Sequence, residues 1–314
     1  MTTDIDVTLL ATNDVAASGS LAGPEDYLAL LKPRVMSLVV FTALTTMIVA
    51  PGAMNPVMAF AAILCIAVGA GAAGALNQWY DADIDAVMKR TRTRPVPSGR
   101  VSAQQALEFG AILAFGSVFC MAFLVSYLAA AFLALTIAFY LFVYTMWLKR
   151  LTVQNIVIGG AAGALPPVIA WAAATGSVAA LLPWLLFLII FLWTPPHFWA
   201  LALAGSEDYA RANVPMLPVV KGARATRNQI LIYSLIVAPL AVAPYALGLT
   251  GPIYGVVSAI AGAGFVTLAV MLWRASEQNE RASALRLFAY SIFYLFAIFT
   301  ALAVERLLGF APGA

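Results

Sequence analysis

Charge is what this sequence has least of. Only 10% of its 314 residues are Asp, Glu, Lys or Arg, against about 25% in an ordinary soluble domain, which excludes a water-soluble globule of usual composition. It has one histidine, His197, and two cysteines, Cys65 and Cys120. Both cysteines lie within apolar runs, where packing is expected rather than a disulfide or a metal site. The first 24 residues carry three Asp and no Lys or Arg, unlike a signal peptide with a basic start or an Arg-rich transit peptide. They are expected to form a disordered cytoplasmic tail ahead of a single domain over 25–314. The net charge of +3 mostly records the loops and gives no reason to expect a nucleic-acid partner.

What is abundant is hydrophobic surface. Hydrophobic residues make up 63% of the chain, and runs of about 20 of them, each able to cross the bilayer as a helix, fall at 35–51, 56–76, 105–125, 128–147, 155–175, 180–202, 229–248, 252–273 and 285–304. The fold class that follows is an all-α polytopic membrane bundle of nine transmembrane helices. Lys and Arg occupy alternate connections: Lys32 and Arg34, Lys89 to Arg100, Lys149 and Arg150, Arg211 to Arg227, and Arg274 to Arg286. The opposite connections (PGAMNP, SYLAA, TGSVAA, GLTGP) have none, so the positive-inside rule places the N-terminus and the long loops in the cytoplasm. Only Arg306, beside Glu305 after the last span, departs from this pattern.

The scarce charge is concentrated. Residues 74–104 contain Asp81, Asp83 and Asp85 followed by Lys89, Arg90, Arg92, Arg94 and Arg100. Asn77, Asp81 and Asp85 stand at i, i+4 and i+8, so a helix running through them stacks all three on one face and turns Asp83 away. Paired carboxylates with an amide oxygen suit Mg²⁺ held by few protein ligands and completed by substrate phosphates. Arg90, Arg94 and Lys89 would take the remaining charge of a diphosphate. Solvated charges at a helix end are the plain alternative, but acids near a bilayer are costly to place. A second polar loop between spans 6 and 7 carries Glu207, Asp208, Tyr209 and Arg211, and four crossings put it on the same membrane face.

These residues resemble a known family. Leu31 to Arg34 (LKPR), Asn77-x₃-Asp81-x₃-Asp85, Met88 to Gly99 (MKRTRTRPVPSG), Trp193 to Leu203 (WTPPHFWALAL) and Glu207 to Val220 (EDYARANVPMLPVV) look like the protohaem IX farnesyltransferases, or haem O synthases, a branch of the UbiA-type intramembrane prenyltransferases. The resemblance runs from about Asp26 to Arg306. It implies a bundle around a central cavity capped by both acidic loops. It also implies transfer of farnesyl from farnesyl diphosphate to a vinyl group of haem b, giving haem O for haem-copper oxidases. The setting would be the bacterial inner membrane, with haem A synthase a possible partner. One departure stands out: the superfamily commonly spaces the second pair of acids four apart, and here Glu207 and Asp208 are adjacent.

On this resemblance Asp81 and Asp85 hold a first Mg²⁺, Asn77 ligates it or orients a ligand, and Glu207 and Asp208 serve a second. Arg90, Arg94, Lys149, Arg150 and Arg211 are diphosphate residues, although Lys149 and Arg150 equally suit snorkelling anchors. Tyr144 and Tyr209 are placed to line the route of an allylic cation. His197 follows Thr194-Pro195-Pro196, a proline pair expected to interrupt its helix; the imidazole would contact haem or hydrogen-bond a neighbouring helix. Pro166-Pro167 should bend span 5, with Gly159, Gly160 and Gly163 allowing close helix approach. Two further readings remain: another prenyl acceptor, such as 4-hydroxybenzoate or a chlorophyll-like tetrapyrrole, and a transporter.

Overall fold

Proline begins many of the helices, since its missing N–H costs nothing in a first turn. In the computed structural model, which describes residues 22–52 and 54–310, every regular element is helical. Most of the expected N-terminal tail, residues 1–21, lies outside the described residues. The elements are α1 (Pro24–Leu30), α2 (Pro33–Val49), α3 (Pro56–Tyr80), α4 (Ala82–Val87), α5 (Ala103–Leu124), α6 (Tyr127–Ala138), α7 (Lys149–Leu151), α8 (Asn155–Ala164), α9 (Pro166–Thr175), α10 (Leu181–Ala204), α11 (Ser206–Arg211), α12 (Leu217–Ala246), α13 (Pro252–Arg274) and α14 (Glu277–Leu307). Among the described residues eight stretches are long and apolar enough to cross a membrane, and α1 with α2, bent by 56°, make a ninth if taken as one span. Lys32, at the bend, has a φ of 53°.

The bundle has two apolar cores. One gathers α10, α12, α13 and α14, with Tyr254, Phe265, Tyr294 and Phe299 fully buried; the other gathers α3, α5, α6 and α9. Outside, large apolar side chains are bare: Ile112, Phe115, Phe119 and Phe123 on α5 are all exposed. Such a belt would aggregate in water and is what a helix facing lipid should show.

Proline and glycine act differently from expectation in two places. α10 runs unbroken through Pro195 and Pro196, so this pair does not interrupt the helix; Thr194 Oγ1, one residue earlier, donates to the Ile190 carbonyl at 2.8 Å. The Pro166-Pro167 pair does end α8 and start α9. Of the three glycines, Gly159 faces the Tyr144 ring and Gly160 faces Thr194, whereas Gly163 has open space around it. The fourth span also holds a surprise. From Phe139 to Leu148 it is wound as a π-helix, the wide turn that often marks functional positions, and this stretch presents Tyr140, Tyr144 and Thr145.

At the end of the bundle away from the long loops, Glu305 is fully buried. It accepts backbone N–H groups from Gly251 (2.6 Å), Ile253 (2.8 Å) and Tyr254 (3.3 Å) at the start of α13. The carboxylate thus satisfies donors no helix can satisfy for itself and meets the positive end of the helix dipole.

Two outcomes follow from this packing. Glu305→Ala orphans buried N–H groups and should cost about 2 kcal/mol or more, seen as a lower midpoint of thermal unfolding in detergent; an unchanged midpoint would contradict the cap. Gly159→Ala drives a methyl into the Tyr144 ring and should destabilise by about 1–3 kcal/mol. Adding Tyr144→Ala should recover most of that loss, and simple additivity of the two changes would refute the contact.

Candidate active site

α3 carries an almost wholly apolar sequence to Tyr80 and then meets aspartate. Asp81 sits at the junction with φ −90° and ψ 13°, and α4 resumes at Ala82. The helix therefore breaks where a straight run was expected, yet the register survives: Asp81 N–H donates to the Asn77 carbonyl at 2.9 Å and Asp85 N–H to that of Asp81 at 2.8 Å. Asn77, Asp81 and Asp85 are consequently all buried, at 4%, 0% and 2% exposure. The Asp83 side chain, on the other face, is 64% exposed.

A buried carboxylate costs several kcal/mol unless it is paired, and the partners come from both near and far in the chain: Arg94 for Asp85, Lys149 for Asp81. Lys149, just after the π-helical stretch, forms an ion pair with Asp81. Arg94 Nη1 reaches Asp85 Oδ2 at 2.6 Å. Asn77 donates through Nδ2 to Asp81 Oδ2 (2.7 Å) and to Thr145 Oγ1 (3.0 Å), while its Oδ1 accepts from Lys32 Nζ at 2.6 Å. Both ends of the Asn77 amide are thus engaged, one of them on Asp81.

The loop after α4 is folded to deliver Arg94. Thr91 Oγ1 donates to the Asp85 carbonyl at 3.0 Å, and Gly99 makes its turn at a φ of 77°. Arg100 Nε pairs with Asp26 of α1 at 2.7 Å, and Val96 and Val101 pack with Leu30 in a small apolar cluster. Arg150 grips Asp83 with two hydrogen bonds of 2.7 and 2.8 Å. It also lies over the Tyr80 ring at 5.0 Å and approaches Asp81 Oδ1 to 3.6 Å. The Arg150 hydrogen bond holds the Asp83 carboxyl below its ordinary range.

The second acidic loop docks on the first. Ile84 and Met88 are buried with Tyr209, Val214 and Met216, and Tyr144 and Phe198 pack on the same cluster. Asp208 pairs with Arg211 and lies 3.4 Å from the Lys89 N–H, whereas Glu207 is exposed. The adjacent acids therefore face different ways, and only Asp208 looks toward the first loop. Two cavities flank the junction. One of about 180 Å³ includes Arg90, Asp208, Tyr209 and Arg281 in its wall; the other, of about 360 Å³, includes Asp83, Arg150 and Arg211.

His197 stands apart from these charges. Its Nδ1 is 2.6 Å from Ser291 Oγ on α14, and its ring stacks between Trp193 and Phe288 at centroid distances of 4.3 and 4.6 Å. The hydrogen bond to a neighbouring helix, one of its two expected uses, is present. The sequence reading assigned no role to Lys32 or Thr145. Lys32 lies in the quoted LKPR segment, but nothing local ties it to a residue 45 positions away.

No three His, Cys, Asp or Glu side chains gather into a ready metal cage among the described residues. What exists instead is a pair of buried carboxylates, with Asp81 Oδ1 buried and lacking a hydrogen-bond partner. A carboxylate oxygen without a hydrogen bond, touched only by the 3.6 Å approach of Arg150, fits a hard cation that completes its shell from a substrate. Asp81 and Asp85 are the residues that would hold it.

Known proteins share this fold. The model of the UbiA prenyltransferase family matches residues 38–297. The chain is 58% identical over 307 residues to a protein named protoheme IX farnesyltransferase from Parvibaculum lavamentivorans, covering 97% of this chain and 96% of that one. Its backbone resembles that of a digeranylgeranylglyceryl phosphate synthase, with a TM-score of 0.74 at 17% identity over 90% of this chain and 98% of the other. It also resembles a UbiA homologue from Archaeoglobus fulgidus bound to DMAPP and Mg²⁺, with a TM-score of 0.66 at 16% identity over 88% and 99% of the two chains. The chain belongs to the UbiA prenyltransferase family.

Proposed function

We propose that this prenyltransferase moves the farnesyl group of farnesyl diphosphate onto a vinyl carbon of haem b, releasing diphosphate and yielding haem O. The observation that carries the reading is the buried Asp81–Asp85 pair, compensated by Arg94 of the same connection and Lys149 of another at one end of an otherwise apolar bundle. The relative from Parvibaculum lavamentivorans, alike over nearly its whole length, supports farnesyl and protohaem as the substrates. The homologue bound to DMAPP and Mg²⁺ supports a divalent ion with a prenyl diphosphate.

The division of labour follows from the contacts. Lys149 and Arg94 neutralise the two acids in the resting site and are positioned to turn toward diphosphate oxygens when the substrate arrives, with Arg150 and Arg211 on the wall of the adjoining cavity. Guanidinium and ammonium groups placed where negative charge grows stabilise the departing diphosphate without reorganising water. Mg²⁺, when bound, would offset the charge on the same oxygens. Asn77 fixes the rotamer of Asp81. Tyr144 and Tyr140, with ring centroids 5.2 Å apart, offer aromatic faces beside the acids to an allylic carbocation, which must be kept from water until the vinyl carbon attacks. The run of Lys and Arg in the connections on this side supports a site at the cytoplasmic face of the membrane.

Membranes containing the protein, incubated with haem b and farnesyl diphosphate, should form a farnesylated haem detectable by mass with Mg²⁺ and none after chelation; product formed equally with chelator would contradict the metal's part. Asp81→Asn and Asp85→Asn should each lower turnover by about 10² or more, while Asp83→Asn should stay within about fivefold, the scale of an exposed ion pair. Equal losses at all three positions would refute the division into a buried and an exposed face.

A further inference from the structure

The cavity of about 180 Å³ between the two acidic loops is bounded by Met88, Leu201, Tyr209 and Leu285 and carries two arginines, Arg90 and Arg281. Its one acid, Asp208, is already paired with Arg211. Among the described residues neither the Arg90 nor the Arg281 side chain makes a hydrogen bond or ion pair, so two unspent arginines border the cavity beside its apolar wall. Arg281 comes from the first turns of α14, outside every segment assigned to the diphosphate. The volume is too small for a porphyrin ring but suits short carboxylate arms.

The helices below the cavity give it a direction. On α10, His197, Leu201 and Ala204 are spaced by four and three, and on α14 so are Arg281, Leu285 and Phe288, which puts each set on one helix face. Leu201, Ala204, Arg281 and Leu285 border the cavity, and His197 and Phe288 stack on each other at 4.6 Å. The seam between α10 and α14 therefore runs from two free cations at the bundle end to an aromatic and imidazole floor about 10 Å deeper.

The geometry points to Arg281, with Arg90 opposite, as the residue that holds the propionate carboxylates of the tetrapyrrole acceptor. This rests on the reading of haem b as acceptor. Haem b carries two propionates on the edge opposite its vinyl groups, so fixing the carboxylates at the bundle end turns the vinyl edge inward. A planar guanidinium binds a carboxylate through paired hydrogen bonds, and Arg281 thereby selects an acidic acceptor over a neutral one.

The test compares wild type with Arg281→Gln and Arg281→Lys, using haem b and its dimethyl ester, in which both carboxylates are uncharged. Arg281→Gln should raise KM for haem b about tenfold or more and leave KM for farnesyl diphosphate unchanged, while Arg281→Lys should lose less. The ester should be a poor acceptor for wild type and no worse for Arg281→Gln, because the interaction is already gone. A rise confined to farnesyl diphosphate would show that the arginine serves the diphosphate instead, and an equal penalty on ester and free acid would show that it serves neither anion; either overturns the assignment. Wild-type protein that transfers no farnesyl to haem b would overturn the acceptor reading itself, and this inference with it. Arg281 is exposed, so the variants should fold, and an unchanged thermal midpoint in detergent checks this.

Discussion

Two carboxylates buried at the end of an apolar helix organise everything around them. Asp81 and Asp85 cannot be left unpaired there, because the desolvation of a charge exceeds what one good contact returns. Lys149 must therefore come from the turn after the π-helical stretch, and Arg94 from a loop rolled back on itself. Lys32, from the bend between the first two helices, reaches the pair through Asn77. Each compensating group fixes a different connection, so the electrostatics of one site hold the polar end of the bundle in a single arrangement. The far end is closed by the same logic, with Glu305 satisfying the start of α13.

A bundle whose walls are lipid-facing and whose charges gather mostly at one mouth is suited to a substrate with a charged head and an apolar tail. The head meets cations that are already oriented, and the tail and any carbocation derived from it stay among aromatic and aliphatic side chains. The two acidic loops do not contribute equally. The first supplies both buried acids, while the second supplies Asp208 and an apolar underside of Tyr209, Val214 and Met216 that covers the junction.

Much of this was legible in the sequence because membrane crossing is a demand on length and composition alone. All nine spans, the clustering of the charged connections and the shared face of Asn77, Asp81 and Asp85 follow from counting. What escaped was whatever depends on pairing across long separations. No local pattern says that Lys32 meets Asn77, that Thr145 completes the amide's hydrogen bonds, or that Glu207 and Asp208 diverge. Pro195-Pro196 looked like a break but lies within a continuous α10, because neighbouring helices support a spanning helix around its missing donors. Pro166-Pro167 does end a helix. The two pairs are the same dipeptide, and only packing separates them. The π-helical stretch has no signature in FYLFVYTMWL at all.

The central claim is that Asp81 and its buried partner receive a divalent cation only together with a diphosphate. Electron paramagnetic resonance of Mn²⁺, titrated into the purified protein with and without inorganic diphosphate, tests it directly. The account predicts bound Mn²⁺ when diphosphate is present, little without it, and loss of that signal in Asp81→Asn. Mn²⁺ bound equally well without diphosphate, or undiminished in Asp81→Asn, would contradict it.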